Sequence, residues 1–184
     1  MNCQEFLDEL NKSDRGSGVL RHAVEGLSAE LHRVVTEPLP LKGMRFEHPV
    51  SIRYVVFKHF VDFSEWRCRG ALRIEFCVFE AGLRLADTEV DGPCSLQGST
   101  FHDARKCWFD FRRLRIRGLL DCTLVTAHAA LVFESSLVEG DVWFDGAILN
   151  SALKLLDDEQ LKAVQATWVT EEEKVATKVL GLTQ

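Results

Sequence analysis

Large apolar residues recur at alternating spacings of five and six from Leu41 to Leu149, and few folds are compatible with such a rhythm. The series runs Leu41, Phe46, Ile52, Phe57, Phe63, Cys68, Ile74, Phe79, Leu85, Val90, Leu96, Phe101, then Phe109, Leu114, Leu120, Val125, and finally Phe133, Val138, Phe144, Leu149. An α-helix would need steps of three and four to keep these side chains on one face. Two wider steps of eight residues interrupt the series, before Phe109 and before Phe133. If four positions make one coil, both fall at the same corner, which points to a solenoid of about five 22-residue coils. The chain lacks the Leu-x-x-Leu-x-Leu signature that a leucine-rich repeat of this period requires. Short strands around a square coil fit the spacing.

The residue two before each of these positions forms a second inward layer. It is small before five-spaced positions, as at Val55, Cys77, Thr88, Ser99, Thr123, Ser136 and Ala147. It is larger before six-spaced ones, as at Leu39, Val61, Leu72, Leu83, Leu131 and Val142. Trp66 and Arg112 break the rule, and an unpartnered arginine cannot point inward, so a local bulge is expected at Arg112. Gly70, Gly92, Gly118 and Gly140 fall where corners are expected.

Units such as Phe63-Ser-Glu-Trp-Arg-Cys68 and Phe144-Asp-Gly-Ala-Ile-Leu149 make residues 39–150 resemble the pentapeptide-repeat family, in a variant where units of five and six alternate. The resemblance implies an all-β solenoid, a right-handed quadrilateral β-helix with Phe or Leu stacked along its axis. Leu156-Asp-Asp-Glu-Gln-Leu161 resembles the helical tail that follows the last coil in this family, and such tails can pair two molecules. Some family members resemble duplex DNA in width and charge and inhibit topoisomerases.

Stacked coils bring residues one period apart into register. Glu47, Arg69, Asp91, Arg115 and Glu139 then form a structural ladder of alternating sign, with Arg45, Arg67, Glu89 and Arg113 beside it and Arg117 over Asp141. This explains the basic cluster Arg105, Lys106, Arg112, Arg113, Arg115 and Arg117 better than a nucleic-acid patch does, since phosphate binding needs a surface of one sign. Direct nucleic-acid binding is disfavoured.

The chain divides into an N-terminal helical segment (1–38), the repeat (39–150) and a C-terminal helical cap (151–184). Gln4–Lys12 and Gly18–Val35 read as helices, the second with Leu20, Val24, Leu27, Leu31 and Val34 on one face, ended by Pro38 and Pro40. Asp157–Trp168 and Thr170–Leu180 read as two more, the latter opened by a capping box of Thr170 and Glu173. Leu161, Val164, Trp168, Val175, Val179 and Leu182 serve either as an intramolecular cap or as a homodimer surface. At 46% hydrophobic content and a net charge of -6, the chain suits a soluble cytoplasmic protein, with neither a signal peptide nor a membrane span.

No motif demands chemistry. Cys68, Cys77, Cys94 and Cys107 fall on inward positions, leaving Cys3 and Cys122 without metal-binding spacing, so neither metal nor cofactor is expected. The histidines His22, His32, His48, His59, His102 and His128 have no neighbouring nucleophile, and Glu25, Glu30, His32 and His48 read as a solvated face rather than a site. The expectation is a non-enzymatic interaction or scaffold module with a protein partner, anchored by the tail and by exposed aromatics among Phe60, Trp108, Phe111 and Trp143, the middle two alternatively packing at the widened corner. The alternative is a DNA mimic, which the resemblance raises and the interrupted acids disfavour.

Overall fold

The computed structural model describes residues 1–13, 33–102 and 109–149. Its repeating section is an all-β solenoid of about five coils whose strands pair in parallel, coil upon coil, in four sheets. Sheet A has six strands: β1 (Arg33–Val35), β5 (Val55–Phe57), β9 (Val78–Phe79), β13 (Thr100–Phe101), β17 (Thr126–Ala127) and β21 (Ile148–Leu149). Sheets B, C and D have five each and begin with β2 (Leu39–Pro40), β3 (Arg45–Phe46) and β4 (Val50–Arg53).

Two columns of corners explain the five-residue sides. Between sheets B and C, Gly43, Glu65, Asp87, Arg113 and Ser135 have φ of 76, 60, 60, 55 and 55°. Between D and A, Tyr54, Phe76, Gly98, Leu124 and Gly146 have φ of 56, 53, 62, 58 and 65°. With bonds such as Thr88 N–H to Leu85 O (3.3 Å) and Ser99 N–H to Leu96 O (3.1 Å), these are type II turns, positive at the third residue. Each non-glycine residue so placed costs about 1–2 kcal/mol of strain. The same residues donate their N–H to the next coil, as Glu65 does to Ala86 O (2.9 Å) and Asp87 to Arg112 O (2.9 Å), and this ladder holds the strained backbone in place.

Gly70, Gly92, Gly118 and Gly140 serve the C-to-D corner by permitting close approach. A Cβ on Gly118 would lie 2.6 Å from Pro93 N, and one on Gly140 2.7 Å from the Gly118 carbonyl carbon.

The register differs from the expected one in a single coil. Phe101 pairs with Ala127 and Leu83 with Phe109, steps of 26 residues, whereas Phe79 pairs with Phe101 and Phe109 with Leu131 at 22. One insertion of four residues between Phe101 and Phe109 thus replaces the two slips of two. The fourth coil turns on Phe111, Ile116, Cys122 and Ala127 rather than Phe109, Leu114, Leu120 and Val125. The series is otherwise as expected. Arg112 consequently lies outside the core and forms no bulge; it packs on Asp110, two residues back. Cys122 joins Cys68, Cys77 and Cys94 in the core, and Phe111 is wholly buried.

Aromatic rings stack in the core on the sheet A side and again on the sheet B side. Phe57, Phe79 and Phe101 stack at 4.8 and 5.3 Å with near-parallel rings, and Phe111 stacks on Phe133 at 4.7 Å. Where Ala127 ends the first stack, Phe109 meets Phe101 edge-on at 4.8 Å. Thr88 and Ser99 perform a second task in the inner layer. Thr88 Oγ1 accepts from Trp66 N–H (3.2 Å) and donates to Phe63 O (3.1 Å); Ser99 Oγ likewise bridges Cys77 N–H (3.1 Å) and Ile74 O (2.9 Å). A buried hydroxyl in one coil thereby satisfies the turn of the coil before it. Trp66, too large for its column, is accommodated because its indole N–H donates to Leu41 O.

Helix α1 spans Cys3–Ser13, matching the expected Gln4–Lys12 element. A reciprocal capping box opens it: Glu5 N–H donates to Asn2 Oδ1 (2.8 Å) and Asn2 N–H to Glu5 Oε2 (2.9 Å). Phe6 and Leu10, one turn apart, are buried, with Phe6 edge-on to Phe57 at 5.9 Å and parallel to Phe63 at 6.2 Å. The helix covers the apolar end of the first coil. The second expected helix does not extend to Val35, because Arg33–Val35 pairs with Val55–Phe57 as a strand; its first part lies outside the described residues, as do both C-terminal helices.

Candidate interaction surface

Side chains alternate in and out along a strand, so each sheet presents one outward column whose members stand about 4.8 Å apart. The chemistry of the four faces therefore follows from register.

On sheet C, Arg67 pairs with Glu89 (3.5 Å). Beside that column the alternating ladder is present, with one member exchanged. Arg69 bonds Glu47 at 2.7 Å, and Arg117, not Arg115, bonds Asp91 at 3.3 Å, while Glu139 follows in the last coil. Arg115 instead stands over Glu89 and under Leu137. The expected placing of Arg117 over Asp141 fails for the same two-residue reason.

At the B-to-C corner, Arg113 clamps Asp87 through two hydrogen bonds of 2.6 and 2.8 Å, and that guanidinium holds the Asp87 carboxyl below the ordinary carboxylate range. Burial alone would raise Asp110, but the Arg112 side chain and backbone N–H bond it and its titration is lowered on balance. On sheet D, the buried Glu75 is bonded by Arg53 at 2.5 Å. Glu47, Glu75, Asp87, Glu89, Asp91 and Asp110 are thus each paired with an arginine, most of them one coil away.

Sheet A is different. Its outward column reads Val34, Val56, Val78, Thr100, Thr126 and Ile148, β-branched at every rung and uncharged throughout. Val34 is 37% and Ile148 56% exposed, and the rungs between are partly exposed. The neighbouring D-to-A corner widens the apolar strip: Tyr54 stacks on Phe76 at 5.4 Å, Phe76 lies against Gly98, and Leu124 is exposed beside it. On the other flank stand Lys58, paired with Glu80, and His102 stacked on His128 at 5.7 Å.

The sequence-derived anchors are not brought together. Phe60 (39% exposed) sits at the A-to-B corner of an early coil, and Trp143 (38% exposed) on the outward face of sheet D in the last, paired in register with Asp121. Phe111 is core, and Trp108, Leu161, Val164, Trp168, Val175 and Val179 lie outside the described residues, as do Cys107, Glu25, Glu30 and His32. The sheet A ladder was legible as a 22-residue recurrence, Val56, Val78, Thr100, in residues that carry no charge and so escape a search for pairs.

Among the described residues no group of three or more His, Cys, Asp or Glu is arranged to hold a metal ion, and no helix is long and apolar enough to cross a membrane. Burial pushes the thiols of Cys68 and Cys77 up to about 12, which leaves them un-ionised and poor nucleophiles. No family model, curated protein or solved structure matches the chain.

Proposed function

We infer that this protein is a non-enzymatic interaction or scaffold module, a rigid rod that binds another polypeptide through the outward face of sheet A. The observation that carries this reading is the uninterrupted, uncharged β-branched ladder on a molecule whose other faces bear paired charges. An apolar strip of that kind marks a contact surface. The interior is filled by its own side chains, so recognition falls to the faces and ends. The coil is read as right-handed, the hand that parallel crossover connections adopt. Buried thiols suit a reducing, cytoplasmic setting.

The test is affinity capture with the full chain, compared with Val78→Lys/Thr100→Lys and with Glu47→Lys as a control on the charged face. A protein retained by wild type and by the control but lost by the double variant supports the reading; equal retention by all three removes it. A DNA mimic needs unpaired acids in a continuous row, about one charge per 1.7 Å of axis. The pairing of Asp87, Asp91 and Glu89 with arginines weighs against that alternative, and absence of inhibition in a gyrase supercoiling assay would eliminate it.

A further inference from the structure

The sheet A face carries more than apolar surface. Thr100 and Thr126 stand on adjacent rungs, both partly exposed, and neither hydroxyl is bonded within the protein among the described residues. On the D-to-A margin of the face, the parallel rings of Tyr54 and Phe76 precede Val56 and Val78 by two residues each. At the last-coil end of that margin lies Asp145, exposed and without an ion pair among the described residues. We propose that the occupant of this face is a proline-rich segment of another protein, held in the polyproline II conformation along the ladder with a basic residue at one end. The inference rests on sheet A being a docking face and names the kind of polypeptide it takes.

Area argues against a second copy or a folded domain. Six rungs at about 4.8 Å make a ladder about 24 Å long. With its margin the strip is roughly 12 Å wide, on the order of 300 Å², well below the ~800 Å² per partner of a standard interface. A segment already extended before it binds loses little entropy and needs less area. Spacing then selects the conformation. Polyproline II rises about 3.1 Å per residue with three residues per turn, so every third side chain recurs at about 9.3 Å, and two rungs measure about 9.6 Å. About eight such residues span the ladder. A β-strand laid along the axis repeats its face every ~6.8 Å and falls between rungs; an α-helix, at about 5.4 Å per turn, is half a rung out of step after four turns. Backbone chemistry points the same way. A helix consumes its own carbonyls, whereas polyproline II leaves them open, and the two unbonded threonine hydroxyls are donors for them. Proline rings pack on apolar and aromatic surface, supplied here by Val56, Val78 and the Tyr54–Phe76 pair. The strip is uncharged, matching a proline-rich core, and Asp145 complements a Lys or Arg beyond the last proline.

The experiment is selection of phage-displayed peptides on the full chain, from one library with proline fixed at every third residue and another with apolar residues at helical spacing. The proposal predicts clones from the proline library, with Lys or Arg at one end, that bind wild type and Glu47→Lys alike. Against Val78→Lys/Thr100→Lys they should lose at least about tenfold in affinity. Thr100→Val/Thr126→Val keeps the β-branched shape and removes both hydroxyls, so it should weaken the same clones at least about fivefold while its melting curve stays that of wild type. Unchanged affinity for that variant, or no ladder-dependent clone from the proline library, overturns the proposal. If only the helical library yields clones that the double-lysine variant loses, the proline-rich occupant fails while the docking face stands. Clones from both libraries that bind the double-lysine variant as well as wild type remove the docking face too.

Discussion

Replacing Thr88 by valine preserves shape and removes one hydroxyl. In the folded chain that hydroxyl accepts from Trp66 N–H at 3.2 Å and donates to Phe63 O at 3.1 Å, and the residue is fully buried. Valine leaves a buried donor and a buried acceptor without this bridge. Each such group costs about 1–3 kcal/mol when unsatisfied. Part is recovered if Trp66 N–H turns to Phe63 O and closes its own turn directly, as Thr88 N–H does to Leu85 O in the next coil at 3.3 Å. A net loss of about 2 kcal/mol follows, seen as a fall of roughly 4–8 °C in Tm for a chain of this length. Urea denaturation monitored by circular dichroism should show a lower midpoint with an unchanged slope. Thr88→Ser, which keeps the hydroxyl and loses only a methyl group, should be the milder change. A Thr88→Val variant within about 0.5 kcal/mol of wild type, or one less harmful than Thr88→Ser, would refute the bridging role.

Three further outcomes follow from the same geometry. A double-mutant cycle on Asp91 and Arg117 should give a coupling of up to about 1 kcal/mol, whereas one on Asp91 and Arg115 should give none; the reverse would restore the register with two slips. Asp87 and Asp110 titrate below the ordinary range when folded, so the stability they lend is complete above about pH 4 and is lost as pH falls through their depressed folded values. Arg113→Met should therefore flatten part of the acid limb of a stability profile, and an unaltered limb would show that the Asp87 clamp adds nothing. Gly118→Ala, whose Cβ would meet Pro93 backbone, should cost about 1–3 kcal/mol by overpacking, while Gly43→Ala, with open space but φ +76°, should lose only about 1 kcal/mol to backbone strain, both read from denaturation midpoints.

The fold was readable because one inward residue every five or six positions is incompatible with a helix and compatible with short strands between tight corners. The error in the fourth coil has a specific cause. Strand side chains alternate with period two, so a shift of two residues keeps every inward residue inward. Phe109 and Phe111, Leu114 and Ile116, Leu120 and Cys122 are all core, and hydrophobicity alone cannot tell which of each pair marks the centre of its side. The partner across the rung does tell, as Arg117 over Asp91 shows. Cys122 and Phe111 fall off the inward layers of the expected register for that same reason. The positive-φ corners were hidden because Glu65, Asp87 and Arg113 occupy them in place of glycine, held by coil-to-coil hydrogen bonds that no local preference announces. The sheet A ladder escaped because its members are unremarkable singly and gain meaning only when register stacks them.

Register is the claim on which the ladders, the corners and the apolar face all depend, and nuclear Overhauser contacts across the fourth coil test it most directly. The account predicts backbone contacts from Ile116 to Val90 and Val138, and from Ala127 to Phe101 and Leu149. Contacts from Leu114 to Val90 and from Val125 to Phe101 would contradict it.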